Sequence, residues 1–138
     1  MSYNPDNVFA RILRGELPCV KVYEDEHTLA FMDLMPQAEG HTLVIPKHPA
    51  VDLLSLPVEA VGPLFRTTQR VAQAVKAALG ASGILVAQLN GAAAGQTVFH
   101  LHTHIIPRED GLSLALHART PADPDVLKAV ADRIRAQL

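Results

Sequence analysis

The chain has 138 residues, enough for a single domain with its own hydrophobic core, and its 49% hydrophobic and 19% charged residues are typical of a globular protein. A net charge of −2, with basic residues scattered along the sequence, excludes a broad electrostatic footprint for nucleic acid or an acidic membrane. No apolar stretch is long enough to span a bilayer, and the N-terminus lacks the features of a secretory signal. Cys19 is the only cysteine, so no intramolecular disulfide can form, and we expect a cytoplasmic location.

The first half of the chain predicts one short helix and three strands, after a loose N-terminal tail at residues 1–6. Apolar residues at helical spacing predict a helix at 7–14. Alternating patterns predict strands at 20–24 and 28–33, joined by a polar turn, and a third strand at 41–47. The connections between these strands are too short for crossovers, so antiparallel pairing is expected.

A long helix is expected at 55–79, with Ser55 as its N-cap. A stripe of apolar residues at helical period runs along it and indicates core packing. Pro63 lies early in the helix, where it should kink the helix or delay its start. Gly80 and its neighbours should end the helix.

Two further strands and a helix complete the chain. The strands are predicted at 84–89 and 97–108, and residues 111–122 are expected to be irregular. Asp123 should cap a C-terminal helix that begins with Pro124. Residues 1–138 are therefore expected to form one α+β domain, in which a five-stranded antiparallel sheet carries the long helix and the C-terminal helix.

The most informative segment is the predicted strand 97–108, which contains three histidines at strict period two. Alternate side chains of a strand share a face, so His100, His102 and His104 would point to the same side. The β-branched and aromatic residues between them favour a strand over a helix. Ordinary core strands do not present imidazoles on one face, which indicates a functional site.

Two chemistries use several imidazoles on one face. The first is a zinc-dependent hydrolase, in which His100, His102 and His104 would be the ligands. The second is nucleophilic attack of an imidazole on phosphorus. The nearest downstream carboxylates follow Pro107, away from the histidines, whereas Gly95, Gln96 and Thr97 lie just upstream and suit a phosphoryl group. These surroundings favour the second chemistry.

The sequence resembles the histidine triad (HIT) family over nearly the whole chain. His100-Leu101-His102-Thr103-His104-Ile105-Ile106 is similar to its motif His-φ-His-φ-His-φ-φ, except that Thr103 occupies the second φ. The segments 8–18, 31–33 and 36–47, together with Asn90 and Gly95-Gln96-Thr97-Val98, match further family signatures in the right order. The resemblance implies the HIT-like fold and a homodimer, and the stripe of the long helix is where part of the dimer interface is expected.

The resemblance also implies roles for individual residues. His102 would be the nucleophile, His100 would orient it, and His104 would lie against the phosphate oxygens, with His41 completing the cluster. Gln96, Thr97 and Asn90 would contact the phosphate or leaving group, and Asp33 would bind the ribose hydroxyls. Six apolar residues would line the base pocket: Val8, Phe9, Ile12, Leu17, Phe31 and Leu43. His27, His48 and His117 are given no role.

The implied activity is hydrolysis or transfer at the α-phosphate of a purine nucleotide conjugate, through a nucleotidyl-histidine intermediate and without a cofactor. A nucleotide-binding regulator with negligible turnover is the remaining alternative. Asn7 and Ala10 stand where many bacterial relatives carry a Cys-x-x-Cys zinc motif, so no metal is expected. The chain has no tryptophan, which departs from the Hint branch. We expect the general bacterial type, whose substrate the motif does not define.

Overall fold

The computed structural model describes residues 1–111 and 120–138 of the chain. The elements in order are α1 (Val8–Leu13), β1 (Lys21–Glu24), β2 (Thr28–Met32), β3 (Thr42–Pro46), a 3₁₀ turn (Leu53–Ser55), α2 (Val58–Leu79), β4 (Gly83–Gln88), a second 3₁₀ turn (Ala92–Ala94), β5 (Thr103–Arg108) and α3 (Pro124–Arg135). Most of the segment predicted to be irregular, with His117, lies outside the described residues. No helix in the two described ranges is long and apolar enough to cross a membrane.

The sheet has the strand order β1-β2-β3-β5-β4, and every neighbouring pair is antiparallel. This confirms the predicted five-stranded antiparallel sheet. The last strand, β5, is inserted between β3 and β4 and is therefore an interior strand. Leu43 of β3 pairs directly with His104 of β5, so these two side chains lie on the same face.

The two faces of the sheet carry different layers. Helices α2 and α3 pack on one face over a large apolar core, as the sequence predicts. Helix α1 packs on the other face, where Phe9 contacts a smaller cluster of Leu29, Phe31, Leu43 and Ile45. Because side chains alternate along β2 and β3, the same strands supply both cores. The smaller cluster lies on the face that carries His104.

Helix α2 begins later than the sequence predicts. Its first residue is Val58, preceded by Pro57, and Ser55 instead takes part in a capping box with Asp52 around the preceding 3₁₀ turn. Pro63 is accommodated inside the helix and does not delay its start. Near a helix N-terminus, proline removes only one backbone hydrogen bond, here the bond to the carbonyl of Glu59. Gly80 ends the helix in the left-handed conformation, as expected.

The apolar stripe of α2 packs on this chain's own sheet. Leu64, Val71 and Val75 have no exposed surface, which confirms core packing for the stripe. These buried members are therefore not available to a second copy, and the expectation that the stripe contributes to a dimer interface is wrong for them. Phe65, with 42% of its surface exposed, is the exception.

Strand β5 begins at Thr103, so the first half of the histidine segment is not part of the sheet ladder. Continuing the register would place Leu101 opposite Pro46, which has no N–H to donate. The carbonyl of Pro46 instead faces the ring of His100, and the N–H of Leu101 donates to the carbonyl of Ala50. Strand β5 therefore begins later than predicted, because Pro46 in the neighbouring strand β3 cannot donate a ladder hydrogen bond at this position.

Candidate active site

A cleft of about 500 Å³ opens on the α1 side of the sheet, a volume suited to a small-molecule ligand. His102, His104, Thr97 and Asp33 lie along it. The rest of its lining is apolar or sulfur-containing: Val8, Phe9, Ile12, Pro18, Cys19, Phe31, Met32, Leu34, Met35, Leu43 and Val98. None of these described lining residues is lysine or arginine, so the donors available to an anion are the histidines, the hydroxyl of Thr97 and backbone groups.

The hydrogen bonds of His102 determine which of its ring nitrogens is nucleophilic. Its Nδ1 lies 2.8 Å from the carbonyl oxygen of His100. Because a carbonyl can only accept, Nδ1 carries the proton and Nε2 keeps its lone pair in the neutral ring. The ring is 6% exposed and meets the ring of Phe9 edge-on, with 5.0 Å between centroids. Phe9 and the carbonyl of His100 together orient the imidazole.

His100 lies behind the cleft and does not line it. Its Nε2 is 2.8 Å from the carbonyl oxygen of Pro46, and its Nδ1 is 2.6 Å from the hydroxyl of Tyr3. Burial lowers the pKa of His100 to about 4, so the ring is neutral at physiological pH. Both ring nitrogens of His100 are therefore bonded within the protein.

His41 and His104 form a second pair of hydrogen-bonded imidazoles. The backbone N–H of Gln37 donates to Nδ1 of His41, so the proton of neutral His41 is on Nε2. That Nε2 lies 3.0 Å from Nδ1 of His104 and 3.4 Å from Oδ2 of Asp33. Accepting at Nδ1 places the proton of neutral His104 on Nε2. The ring centroids of His102 and His104 are 5.0 Å apart, and Nε2 of His104 is a buried atom.

Asp33 follows the end of β2 and reaches the cleft with 20% of its side chain exposed. One carboxylate oxygen accepts from the N–H of Met35, as in a turn, while the other faces His41. The same carboxylate therefore caps a turn and lies at the cleft. Contact with ribose hydroxyls stays a prediction.

The loop before the triad differs from the expectation at one residue. Thr97 lines the cleft, but the side-chain amide of Gln96 is 4% exposed and is used entirely inside the protein. It donates to the carbonyls of Val51 and Val98 and accepts from Gly91. A direct phosphate contact by Gln96 is therefore not supported, because its amide shapes the loop instead.

Asn90 has a similar supporting position at the start of this loop. Its side-chain oxygen accepts from the N–H of Leu53, which ties the loop to the 3₁₀ turn before α2. Asn90 is not among the residues that line the cleft. Its predicted contact with a phosphate or leaving group is not tested by this geometry.

Five of the six residues predicted for the base pocket line the cleft, and Leu17 does not. The adjacent Pro18 and Cys19 take its place. Burial raises the pKa of the Cys19 thiol, so it stays protonated and serves as an apolar wall. Leu34 and Met35, 55% and 46% exposed, form an apolar rim that sequence reasoning missed. The feature of the sequence that could have indicated this rim is a pair of consecutive large apolar residues in a polar loop.

The structure offers one group of donors that could hold a metal ion within its described residues, and it is not the predicted triad. Ligand atoms of Asp33, His41 and His104 lie within 4.8 Å of one another. His100 cannot join His102 and His104 around zinc, because both of its nitrogens are already bonded. The alternative of a three-histidine zinc centre therefore fails at His100. Two imidazoles and a carboxylate do form a donor set that zinc accepts.

The cleft combines three features that suit a substrate with an apolar and an anionic part. The ring of His102 carries its lone pair on Nε2 when neutral, the ring of His104 lies beside it, and apolar side chains form the adjacent wall of the cleft. Low polarity around the rings strengthens their hydrogen bonds and disfavours a second protonated imidazole. This arrangement can bind a flat apolar group while a histidine attacks an adjacent electrophilic centre.

Two solved structures resemble this chain closely. A HIT-like protein from Bartonella henselae, described as involved in cell-cycle regulation, is 47% identical, with a TM-score of 0.94 covering 99% of this chain and 100% of the other. A zinc-bound histidine triad family protein from Mycobacterium smegmatis is 40% identical, with a TM-score of 0.84 covering 96% and 92%.

Curated relatives include two that are named as enzymes. An adenosine 5′-monophosphoramidase of Schizosaccharomyces pombe is 35% identical over 134 residues, which is 95% of this chain and 97% of that protein. An adenylylsulfatase of Arabidopsis thaliana is 41% identical over 105 residues, which is 76% of this chain and 53% of that protein. An uncharacterized HIT-like protein of Mycobacterium tuberculosis is 42% identical over 120 residues, covering 86% and 83%.

The family model described as the HIT domain matches residues 14–111, which include all three histidines of the triad and every strand of the sheet. This match covers well over half of the chain and agrees with the fold of the solved relatives. The chain belongs to the histidine triad (HIT) family.

Proposed function

We propose that this protein hydrolyses or transfers a nucleotidyl group at the α-phosphate of a purine nucleotide conjugate, such as a nucleoside phosphoramidate or a dinucleoside polyphosphate. The product is a nucleoside monophosphate, and the reaction proceeds through a nucleotidyl-histidine on His102 without a cofactor. The observation that carries the proposal is the hydrogen bond from Nδ1 of His102 to the carbonyl of His100, which leaves the lone pair of the neutral ring on Nε2, in a residue that lines the cleft beside His104.

The proposed reaction consists of two successive displacements at phosphorus. Nε2 of His102 forms a bond to phosphorus, and the leaving group departs with the electron pair of its bond and takes up a proton. The carbonyl of His100 stabilises the positive charge of the substituted imidazole through Nδ1–H. A water oxygen then attacks phosphorus, the P–Nε2 bond returns its electrons to nitrogen, and the water proton is released.

The cleft also suits the rest of such a substrate. The apolar wall formed by Phe9, Phe31 and Leu43 can cover a base, and Asp33 at its edge can accept from ribose hydroxyls. Thr97 and His104 also line the cleft, and we assign the phosphate to them. The relatives named as a phosphoramidase and an adenylylsulfatase support a conjugate that carries an adenosine 5′-phosphoryl group.

Replacement of His102 tests the proposal. We expect His102→Ala to lower kcat for AMP release from adenosine phosphoramidate and diadenosine polyphosphates by at least about 10³-fold, because the nucleophile is lost. His27→Ala, which removes a histidine with 57% of its side chain exposed, should keep full activity. Rapid quenching of the wild-type reaction should trap a nucleotidyl-protein that His102→Ala lacks.

Full activity of His102→Ala would refute the assignment of His102 as the nucleophile. Loss of activity on removal of a bound metal would favour a zinc hydrolase instead. Tight AMP binding without turnover on any conjugate would favour the nucleotide-binding regulator.

We also propose a homodimer in which β4, an edge strand of the sheet, pairs with its copy. Val86 of β4 is 44% exposed and Phe65 of α2 is 42% exposed, and the unpaired edge of β4 offers backbone groups to a second strand. Light scattering should give twice the mass of the chain, and Val86→Lys should shift it toward the monomer. A monomeric wild-type protein at high concentration would contradict this proposal.

A further inference from the structure

Tyr3 contacts the triad although it lies in the N-terminal segment that the sequence predicts to be a loose tail. Residues 1–6 form no helix or strand, yet the Tyr3 side chain is half-buried and its hydroxyl lies 2.6 Å from Nδ1 of His100. The two rings also meet edge-on, with 5.6 Å between centroids. This contact joins positions 97 residues apart in the sequence.

The direction of this hydrogen bond follows from the other side of the imidazole. Nε2 of His100 faces the carbonyl oxygen of Pro46, which can only accept, so Nε2 carries the proton. Neutral His100 therefore offers a lone pair at Nδ1, and the hydroxyl of Tyr3 donates to it. The ring is held from both ends, which defines its tautomer and its orientation.

The orientation of the His100 ring affects His102 through the backbone of residue 100. The carbonyl of His100 accepts from Nδ1–H of His102, and that bond leaves Nε2 as the nucleophilic atom. Residues 97–102 precede β5 and have no ladder bonds to fix this carbonyl. The available constraints are the bond from Leu101 N–H to Ala50 and the two bonds on the His100 ring.

We propose that Tyr3 is a positioning residue for catalysis, acting through His100 to hold the backbone carbonyl that orients His102. Tyr3 itself does not line the cleft, so it does not touch the substrate. The inference rests on the proposed function, in which Nε2 of His102 attacks phosphorus. It assigns the N-terminal segment a part in the catalytic apparatus.

The test replaces one hydroxyl and compares it with a matched control. Tyr3→Phe keeps the ring and removes the donor to His100, and Tyr23→Phe removes the only other tyrosine hydroxyl, which bonds to Asp25 away from the cleft. We expect Tyr3→Phe to lower kcat about two- to tenfold, the range of one hydrogen bond, with KM unchanged. Tyr23→Phe should leave both parameters unchanged.

A double-mutant cycle shows whether Tyr3 acts through His100. His100→Leu removes Nδ1, the acceptor of the Tyr3 hydroxyl, and leaves an apolar side chain that cannot accept a hydrogen bond. In this background, Tyr3→Phe should produce no further loss of kcat. An unchanged kcat for Tyr3→Phe, a rise in KM alone, or a full independent loss in the His100→Leu background would each overturn the proposal.

A spectroscopic readout separates failure of this proposal from failure of the proposed function. Long-range ¹H–¹⁵N spectra report the tautomer of each histidine without any substrate. Tyr3→Phe should shift the Nδ1 signal of His100 and give His102 a mixture of tautomers. If the wild type has no activity on any conjugate, the proposed function fails, and an unaltered His102 signal in Tyr3→Phe would then overturn the role of Tyr3 as well.

Discussion

Acid should destabilise the protein through His100. In the folded protein the pKa of this buried ring is lowered to about 4, against 6.5 for an unperturbed histidine. Between these values the unfolded chain binds more protons than the folded one, so the free energy of unfolding rises with pH across this window. The stability due to neutral His100 is complete above pH 6.5 and is lost as the pH falls toward 4.

The size of the effect follows from the two pKa values of His100, folded and unfolded. A difference of one in pKa corresponds to about 1.4 kcal/mol, so complete protonation would cost roughly 3 kcal/mol. Going only from pH 7.5 to 4.5, linkage gives a loss of about 2.5 kcal/mol from this one group. That is a large share of the stability of a typical domain, which is about 5–15 kcal/mol.

Urea unfolding at 25 °C, at several pH values from 7.5 to 4.5, measures this loss. We expect His100→Gln to be less stable at pH 7.5 but to lose about 2.5 kcal/mol less than the wild type over the range. Carboxylates titrate in both proteins and cancel in the difference. His27→Gln, at an exposed histidine, should follow the wild type. Parallel pH profiles for wild type and His100→Gln would refute the reasoning.

Three further predictions concern the cleft and the turn beside it. Asp33→Asn should raise KM about tenfold for ribonucleotide substrates and less for 2′-deoxy substrates, because a charged acceptor for the ribose is lost. Steady-state kinetics that show the same rise in KM for both substrates would contradict this. A chelator should leave activity unchanged, whereas added Zn²⁺ should inhibit by binding Asp33, His41 and His104. In a zinc titration, Asp33→Asn should weaken that inhibition. Inactivation by the chelator would count against metal-independent chemistry. Gly40→Ala should lower the free energy of unfolding by about 1–3 kcal/mol in urea, since Gly40 has a φ of +93° and a new Cβ would lie 3.1 Å from Leu79. Gly80→Ala, at a φ of +62° with open space around it, should cost less, and an equal cost would show that the contact with Leu79 is unimportant.

Much of the fold could be predicted because it depends on local patterns. Alternation identified the strands, the spacing of Leu64, Val71 and Val75 identified the core face of α2, and Asp123 capped α3 as expected. The register of the sheet was not readable in the same way. Where β5 begins depends on Pro46, a residue of another strand that cannot donate to it. The first residue of a strand is hard to predict when it depends on a residue that is distant in the sequence.

The site shows the same division between local and long-range information. Period-two spacing and the family resemblance singled out His102 and His104, which lie together in the cleft. The side chain of Gln96 was expected to face the ligand, but it satisfies backbone groups of two other segments. The bond between Tyr3 and His100 has no local signal, because it joins positions 97 residues apart.

The position of Tyr3 has a consequence for where the functional unit begins. The region matched by the family model starts at residue 14 and contains the whole sheet with its histidines. Tyr3 and three cleft residues, Val8, Phe9 and Ile12, come before it. A protein trimmed to the matched boundaries would therefore keep the triad while losing one wall of its cleft and a bond that orients it. The matched family boundaries enclose the sheet and its histidines, and the residues of the candidate site extend further toward the N-terminus.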